Sequence, residues 1–204
     1  MPSDFIDAPS TAYYHAHADR FFAETVALDL TPLYAPFLAR LPVGGTILDA
    51  GCGSGRDARA FLERGYTVSA FDASPSLARL AAAHTGLPVT VQRFQELDES
   101  ERFDGIWACA SLLHVPLADL PDVLRRLARA LKPEGVLYAS WKYGQGERQD
   151  GNRRFTDLDE AGLDALLQTL SIWTPLTVWT SADRRPDRPD ALWLNALLRR
   201  TVQR

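Results

Sequence analysis

Five short apolar runs recur along the middle of the chain: TILDA (46–50), TVSAFD (67–72), VTVQR (89–93), GIWACA (105–110) and GVLYASW (135–141). Each is flanked by turn-forming residues and separated from the next by a stretch of helical periodicity, so each predicts a buried strand. Strands alternating with helices call for a parallel sheet covered on both faces. The helices carry their own end signals. Ser74 can accept an orphan amide and Pro75 fits a first turn, while Gly86 tolerates the positive φ of a helix end. Another stripe, Leu120, Val123, Leu124, Leu127, Ala128 and Leu131, leaves Arg125, Arg126 and Arg129 on a solvated face.

On either side the rhythm changes. Tyr13 to Val26 and Leu33 to Leu41 read as helices, the second ended by Pro42 and the Gly44-Gly45 pair. After Trp141 come a polar loop, KYGQGERQDGNRR (142–154), a helix from Asp157 to Leu170, and two strands, Ile172 to Thr180 and Leu192 to Arg199. Their link, SADRRPDRPDA (181–191), is too short for a crossover helix, so these strands should pair antiparallel.

With 204 residues and 46% hydrophobic content the chain can bury one full core, and it is read as a single domain, 1–204. A net charge of −4 without a block of like charges gives no electrostatic reason for a nucleic-acid or membrane partner and favours a small ligand. Cys52 and Cys109 fit neither a disulfide framework nor a metal spacing, so no metal is expected and a reducing cytoplasm fits. MPSDFIDAPSTAYYHAHADR lacks a basic stretch followed by an apolar run, so neither secretion nor a membrane span is expected.

TILDAGCGSGRDA (46–58) carries the most specific chemistry. A strand entering a glycine loop and then a helix is a general nucleotide-binding device. The dinucleotide fingerprint wants glycines at positions one, three and six, but counting from Gly51 places Gly53 at three and Arg56 at six. Asp49 beside a diphosphate would be repelled, whereas beside an ammonium it is attracted. Asp72 ends the second strand, where an acid in doubly wound sheets accepts the ribose hydroxyls. Together these residues specify a nucleoside with a cationic, amino-acid-like tail.

At this point the chain resembles the class I S-adenosylmethionine-dependent methyltransferases. LDAGCGSG matches their first motif and FDASP their second, with FDGIWACASLLHV and LARALKPEGVLYAS at the fourth and fifth strands. Within that superfamily it looks most like the small bacterial tellurite-resistance-type methyltransferases or small relatives of uncharacterised substrate. The resemblance implies a Rossmann-like, doubly wound α/β sheet of seven strands in the order 3-2-1-4-5-7-6 with strand 7 antiparallel. It divides the chain into an N-terminal helical cap (1–45), a cofactor-binding core (46–141) and a substrate-side loop, helix and terminal hairpin (142–204). It implies S-adenosylmethionine as cofactor, with Asp49, Gly51, Gly53 and Gly55 around the methionine moiety and Asp72 on the ribose. Many relatives place an aspartate after strand three for the adenine amine. This chain has Arg93-Phe94-Gln95 there, so Phe94 either stacks on adenine or belongs to the core, and Gln95 can replace the carboxylate as acceptor.

Methyl transfer is an in-line displacement that needs a base only when the nucleophile carries a proton. His114, in SLLHVP beyond the fourth strand, is the candidate base; the alternative is a structural histidine bonding the turn before Pro116. By the resemblance the N-terminal helix folds over the cofactor and brings Tyr14 to the substrate. Helical spacing also puts Tyr14, His17 and Phe21 on one face, which suits plain core packing. Lys142, Arg148, Arg153 and Arg154 follow the fifth strand and suit an anionic acceptor, or form a solvated loop partly neutralised by Glu147 and Asp150. Trp141 and Tyr143 either wall that pocket or are core and rim. The expected activity is methyl transfer to a small, anionic molecule. Two rivals are a tRNA wobble-uridine carboxylate methyltransferase, opposed by the acidic charge, and a non-catalytic S-adenosylmethionine-binding regulator.

Overall fold

The strand–helix alternation builds a seven-stranded sheet in a computed structural model of the chain, which describes residues 9–185, 188 and 190–201. The strands are β1 (Thr46–Ala50), β2 (Thr67–Asp72), β3 (Val89–Val91), β4 (Phe103–Ala108), β5 (Leu131–Lys142), β8 (Trp173–Ala182) and β9 (Leu192–Arg200), in the order β3-β2-β1-β4-β5-β9-β8. The first five run parallel, and β9 is antiparallel to both β5 and β8. This is the expected topology, with β9 in the role of the seventh strand. The middle of the β8–β9 link, residues 186, 187 and 189, lies outside the described residues, as do residues 1–8 of the cap.

Alternation along each strand sends side chains to two cores. Ile47, Trp107, Val136 and Tyr138 pack under helices α3 (Thr31–Leu38) and α4 (Arg56–Glu63), with Ala81 of α5 (Pro75–Thr85). Leu48, Ala50, Leu137, Ala139 and Trp141 pack with α6 (Leu120–Ala130) and α7 (Glu160–Gln168). Ser74 caps α5, its hydroxyl accepting the Leu77 amide at 3.3 Å, and Gly86 ends the helix at φ 76°. Under α4 a buried Asp57 carboxylate accepts from Arg56, from the Tyr34 hydroxyl at 2.6 Å and from the Trp107 indole at 2.8 Å. It is held below the usual carboxylate range by Arg56 and these hydrogen bonds against its burial.

Two elements differ from expectation. The N-terminal helix breaks at His17 into α1 (Pro9–Ala16) and α2 (Ala18–Thr25), so Tyr14 meets Phe21 while the exposed His17 stacks on Tyr13. The stretch read as a polar loop instead forms a hairpin, β6 (Gly146–Asp150) and β7 (Arg153–Asp157), through a two-residue turn at Gly151-Asn152. With β6 mostly exposed, no hydrophobic alternation marks the strand; Asp-Gly-Asn was the legible turn signal. The helix expected from Asp157 starts at Glu160, capped by the Asp159 carboxylate.

Candidate functional site

A cavity of about 500 Å³ opens at the carboxyl ends of β1, β2, β4 and β5 and is roofed by α1 and α2. Gly51 and Gly53 form part of its floor at φ 75° and 55°. A Cβ on Gly51 would stand 2.6 Å from Ser111 Cβ, and one on Gly53 would stand 3.1 Å from the Phe21 ring, so both positions require close approach. The Gly51 and Cys52 amides donate to Phe71 O, and the Gly53 amide donates to Asp72 Oδ2 at 2.9 Å. A loop cradling phosphate would turn such amides toward its ligand. Here they are taken up within the protein, and the glycines serve by having no side chain.

Asp72 lines the same floor, its second oxygen accepting the Ser74 amide at 2.8 Å. Burial pushes its carboxyl up to about 6 against these two hydrogen bonds. Asp49 is placed otherwise than the sequence suggested. Its position on β1 shares the parity of Ile47, so its carboxylate is buried beneath α4, accepts the Ala58 amide at 3.0 Å and does not line the cavity. Burial and neighbouring Asp57 raise it well above the carboxylate range. Gly55 likewise stays out of the cavity, packing 3.0 Å (as a Cβ) from Ala81 and Thr85, where it lets α4 and α5 meet.

At the far end of the floor, Phe94 and Gln95 sit on a tight turn after β3 and both line the wall. Phe94 is at once wall and core, edge-on to Phe71 at 5.2 Å. Gln95 donates to Asp119 Oδ2 at 3.4 Å, so a carboxylate absent after β3 is supplied from the start of α6. Its distance along the chain hid it.

The opposite end is basic. Lys142, Arg153 and Arg154 line it together with Arg184, Arg185 and Arg188 of the β8–β9 link, which the motifs had not marked. Arg153 pairs with Asp150 at 2.9 Å, Arg154 lies 3.8 Å from Glu147, and Arg185 pairs with Asp183 at 2.6 Å. The Lys142 ammonium lies 4.5 Å from the centroid of the Phe155 ring and forms no hydrogen bond or ion pair among the described residues. Burial and the charges of Arg148, Arg188 and Arg185 push its ammonium down.

Two expected wall residues are elsewhere. Trp141 is fully buried with Leu137 and Ala139 toward α6 and α7, because strand alternation gives the cavity face to Ser140 and Lys142. Arg148 pairs with Asp157, lies 4.5 Å from the centroid of the hairpin's Phe155 ring and is not part of the cavity lining. Cys109, Tyr138, Ser140 and Asn195 complete the deep wall. Of these, Asn195, a polar residue inside the apolar run LWLNALL, was detectable as a break in pattern. It accepts from the Tyr138 hydroxyl at 2.7 Å.

His114 has the orienting partners that its sequence context did not show. Nδ1 lies 2.9 Å from the Arg154 carbonyl and Nε2 lies 3.0 Å from the Tyr14 hydroxyl, so it bonds the hairpin rather than the turn before Pro116. Burial pushes the imidazole down to about 4. Ser10 fastens α1 to the same strand, accepting the Arg154 amide at 3.0 Å.

The Methyltransferase domain family profile matches residues 19–164, more than half of the chain, and the chain belongs to this family. Its architecture is that of the class I S-adenosylmethionine-dependent methyltransferases. A structure of the Burkholderia thailandensis 1,6-didemethyltoxoflavin-N1-methyltransferase with bound 1,6-didemethyltoxoflavin and S-adenosylhomocysteine is 29% identical. It covers 98% of this chain and 87% of that one, with TM-score 0.75. A Methanosarcina mazei methyltransferase structure shares the fold at TM-score 0.74 and 20% identity, over 86% of this chain and 100% of that one. The ubiquinone biosynthesis O-methyltransferase of Xanthomonas oryzae pv. oryzae is 36% identical over 111 residues, 50% of this chain and 45% of that protein. The match thus spans about half the length of such curated relatives. Among the described residues no helix is long and apolar enough to cross a membrane.

Proposed function

We propose that the chain transfers the methyl group of S-adenosylmethionine to a small anionic molecule. One observation carries the anionic reading: the partly buried Lys142 ammonium, in no salt bridge among the described residues and with Asp157 acting on it only at a distance, stands in a wall shared with Arg153. A charge so weakly compensated in such a place is costly unless a ligand neutralises it.

The cofactor fits the other end. Asp72 would accept the ribose hydroxyls, Gly51 and Gly53 leave room for the amino-acid tail, and Phe94, Gln95 and Asp119 would bracket the adenine. When bound, the sulfonium supplies a methyl group on a good leaving group. The protein's share is then to hold the acceptor in line, exclude water with the α1–α2 roof and neutralise the acceptor's charge. The names of the relatives agree on a small-molecule acceptor, with an O-methyltransferase in one and an N1-methyltransferase in the other. Incubation with isotopically labelled S-adenosylmethionine and a small-molecule extract tests the reading. Label should enter a species retained on anion exchanger; label entering only neutral species, or none at all, would overturn it.

A further inference from the structure

The Tyr14–His114–Arg154 chain restricts which atom can be methylated. A carbonyl oxygen only accepts, so the 2.9 Å contact to Arg154 O puts the imidazole proton on Nδ1. With the ring neutral, Nε2 is a lone pair, and the Tyr14 hydroxyl 3.0 Å away must donate to it. The tyrosine proton is thereby committed, and with Arg153 donating toward the same oxygen, what Tyr14 can show the cavity is its remaining oxygen lone pair. Burial keeps the phenol protonated, with Arg153 beside it pulling the other way.

Tyr14 also stands where the two ends of the cavity meet. Its ring packs edge-on to Phe21 at 5.1 Å, and Phe21 covers Gly53 of the cofactor floor. On its other side His114 lies against Phe155, the ring that the Lys142 ammonium also approaches.

Building on the methyltransferase reading above, we propose that the acceptor atom carries a hydrogen, as an N–H or O–H that donates to Tyr14 Oη, while the acceptor's negative charge lies apart at Lys142. Tyr14 is the residue that touches the acceptor, and His114 positions it. A carboxylate nucleophile has no proton to give and would face the Tyr14 lone pair, so methyl esters are excluded as products. In the transfer, the acceptor N or O forms its bond to the methyl carbon as the carbon–sulfur bond breaks, the electron pair staying on sulfur. Tyr14 Oη, held by His114, accepts the acceptor's hydrogen and so aims the lone pair at the methyl carbon; the proton carried by the methylated acceptor then leaves to water as the product departs.

Three measurements test this. In the ligand-free protein, nitrogen NMR should show the His114 ring protonated at Nδ1 from pH 6 to 8; an Nε2–H tautomer would overturn the proposal. With labelled S-adenosylmethionine and the small-molecule extract, the label should survive alkali, whereas release as methanol would mark an ester and overturn it while leaving the methyltransferase reading intact. Tyr14→Phe should lower kcat roughly ten- to hundred-fold with S-adenosylhomocysteine affinity unchanged. His114→Gln places an amide oxygen near the Nε2 position and should keep most of the activity, while His114→Ala should resemble Tyr14→Phe. A fully active Tyr14→Phe would sink the idea, as would a His114→Gln variant that binds S-adenosylhomocysteine but is as slow as His114→Ala. If no label is transferred although S-adenosylhomocysteine binds, the functional reading fails first, and this inference with it.

Discussion

At one end of the cavity Gly51, Gly53 and Asp72 lie within a single strand–loop–helix–strand unit, and their contacts are made between neighbours in the sheet. At the other end Tyr14 meets His114 across 100 positions, His114 meets Arg154 across 40, and Ser10 meets Arg154 across 144. The first end is held by backbone geometry and reads as a motif. The second is assembled by the fold from side chains that no local pattern connects, so it is free to differ in what it accepts without disturbing the first.

If that division is right, the largest effect should follow from crowding the first end. Gly51→Ala puts a Cβ 2.6 Å from Ser111 Cβ at φ 75°, combining overlap with left-handed strain. A loss of about 2–4 kcal/mol in unfolding free energy is expected, with S-adenosylhomocysteine binding abolished. Urea titration and calorimetry measure both. A variant of normal stability that binds normally would mean the floor tolerates a side chain, and the close-approach account would be wrong.

Asp72 comes next. Asp72→Ala should weaken S-adenosylhomocysteine binding ten-fold or more, about 1.5–3 kcal/mol for a charged acceptor of two hydrogen bonds. Its pH dependence has a definite sign. The folded-state carboxyl is raised to about 6, so this group favours the folded protein at low pH and that contribution is lost as pH rises through about 6. Binding uses the ionised form and should run the opposite way, weakening as pH falls through about 6. Asp72→Asn should flatten that dependence, and calorimetry from pH 5 to 8 would show whether it does.

The contrast between the ends also sets what the sequence could tell. The strands themselves and the glycine loop were legible because each rests on local periodicity or on a backbone conformation that few residues allow, while the strand order came from the family resemblance. Asp49 was read toward the ligand because the motif names it, yet the two-residue strand period that sends Ile47 under α4 sends Asp49 there too. Trp141 followed the same parity away from the cavity with Leu137 and Ala139. Strand alternation, applied to these positions, would have settled both. The β6–β7 hairpin gave no apolar signal because β6 buries almost nothing, and Asp119 was hidden by its distance from the turn it serves.

At the acceptor end a smaller, divided effect is expected. Lys142→Met removes a cation that is pushed down by burial and by neighbouring arginines, so thermal stability should hold or rise. For an acceptor identified by isotope transfer, kcat/KM should fall about ten-fold while S-adenosylhomocysteine affinity stays put. Stability and activity moving in opposite directions is the signature of a residue kept for its ligand. A fall in melting temperature with unchanged kinetics would return Lys142 to a structural part.

The smallest effect belongs to Arg148, which stands six residues after Lys142 in the sequence and shares its charge. It is half-exposed, paired with the nearly buried Asp157 and 4.5 Å from the Phe155 ring centroid. Lys142 is the same 4.5 Å from that centroid but lines the cavity. The two cations therefore share one aromatic ring, and of the two only the lysine lines the cavity. Arg148→Ala leaves Asp157 without its partner, which should cost about 1 kcal/mol of stability, since exposed pairs contribute little and the carboxylate side is the more buried. Acceptor and cofactor kinetics should match the wild type within about two-fold, because Arg148 does not line the cavity and touches the site only through the Phe155 ring and its charge on Lys142. The comparison to make is kcat/KM for Arg148→Ala beside Lys142→Met on one acceptor: equal losses would show that the basic end acts through its summed charge and not through the residues that line it.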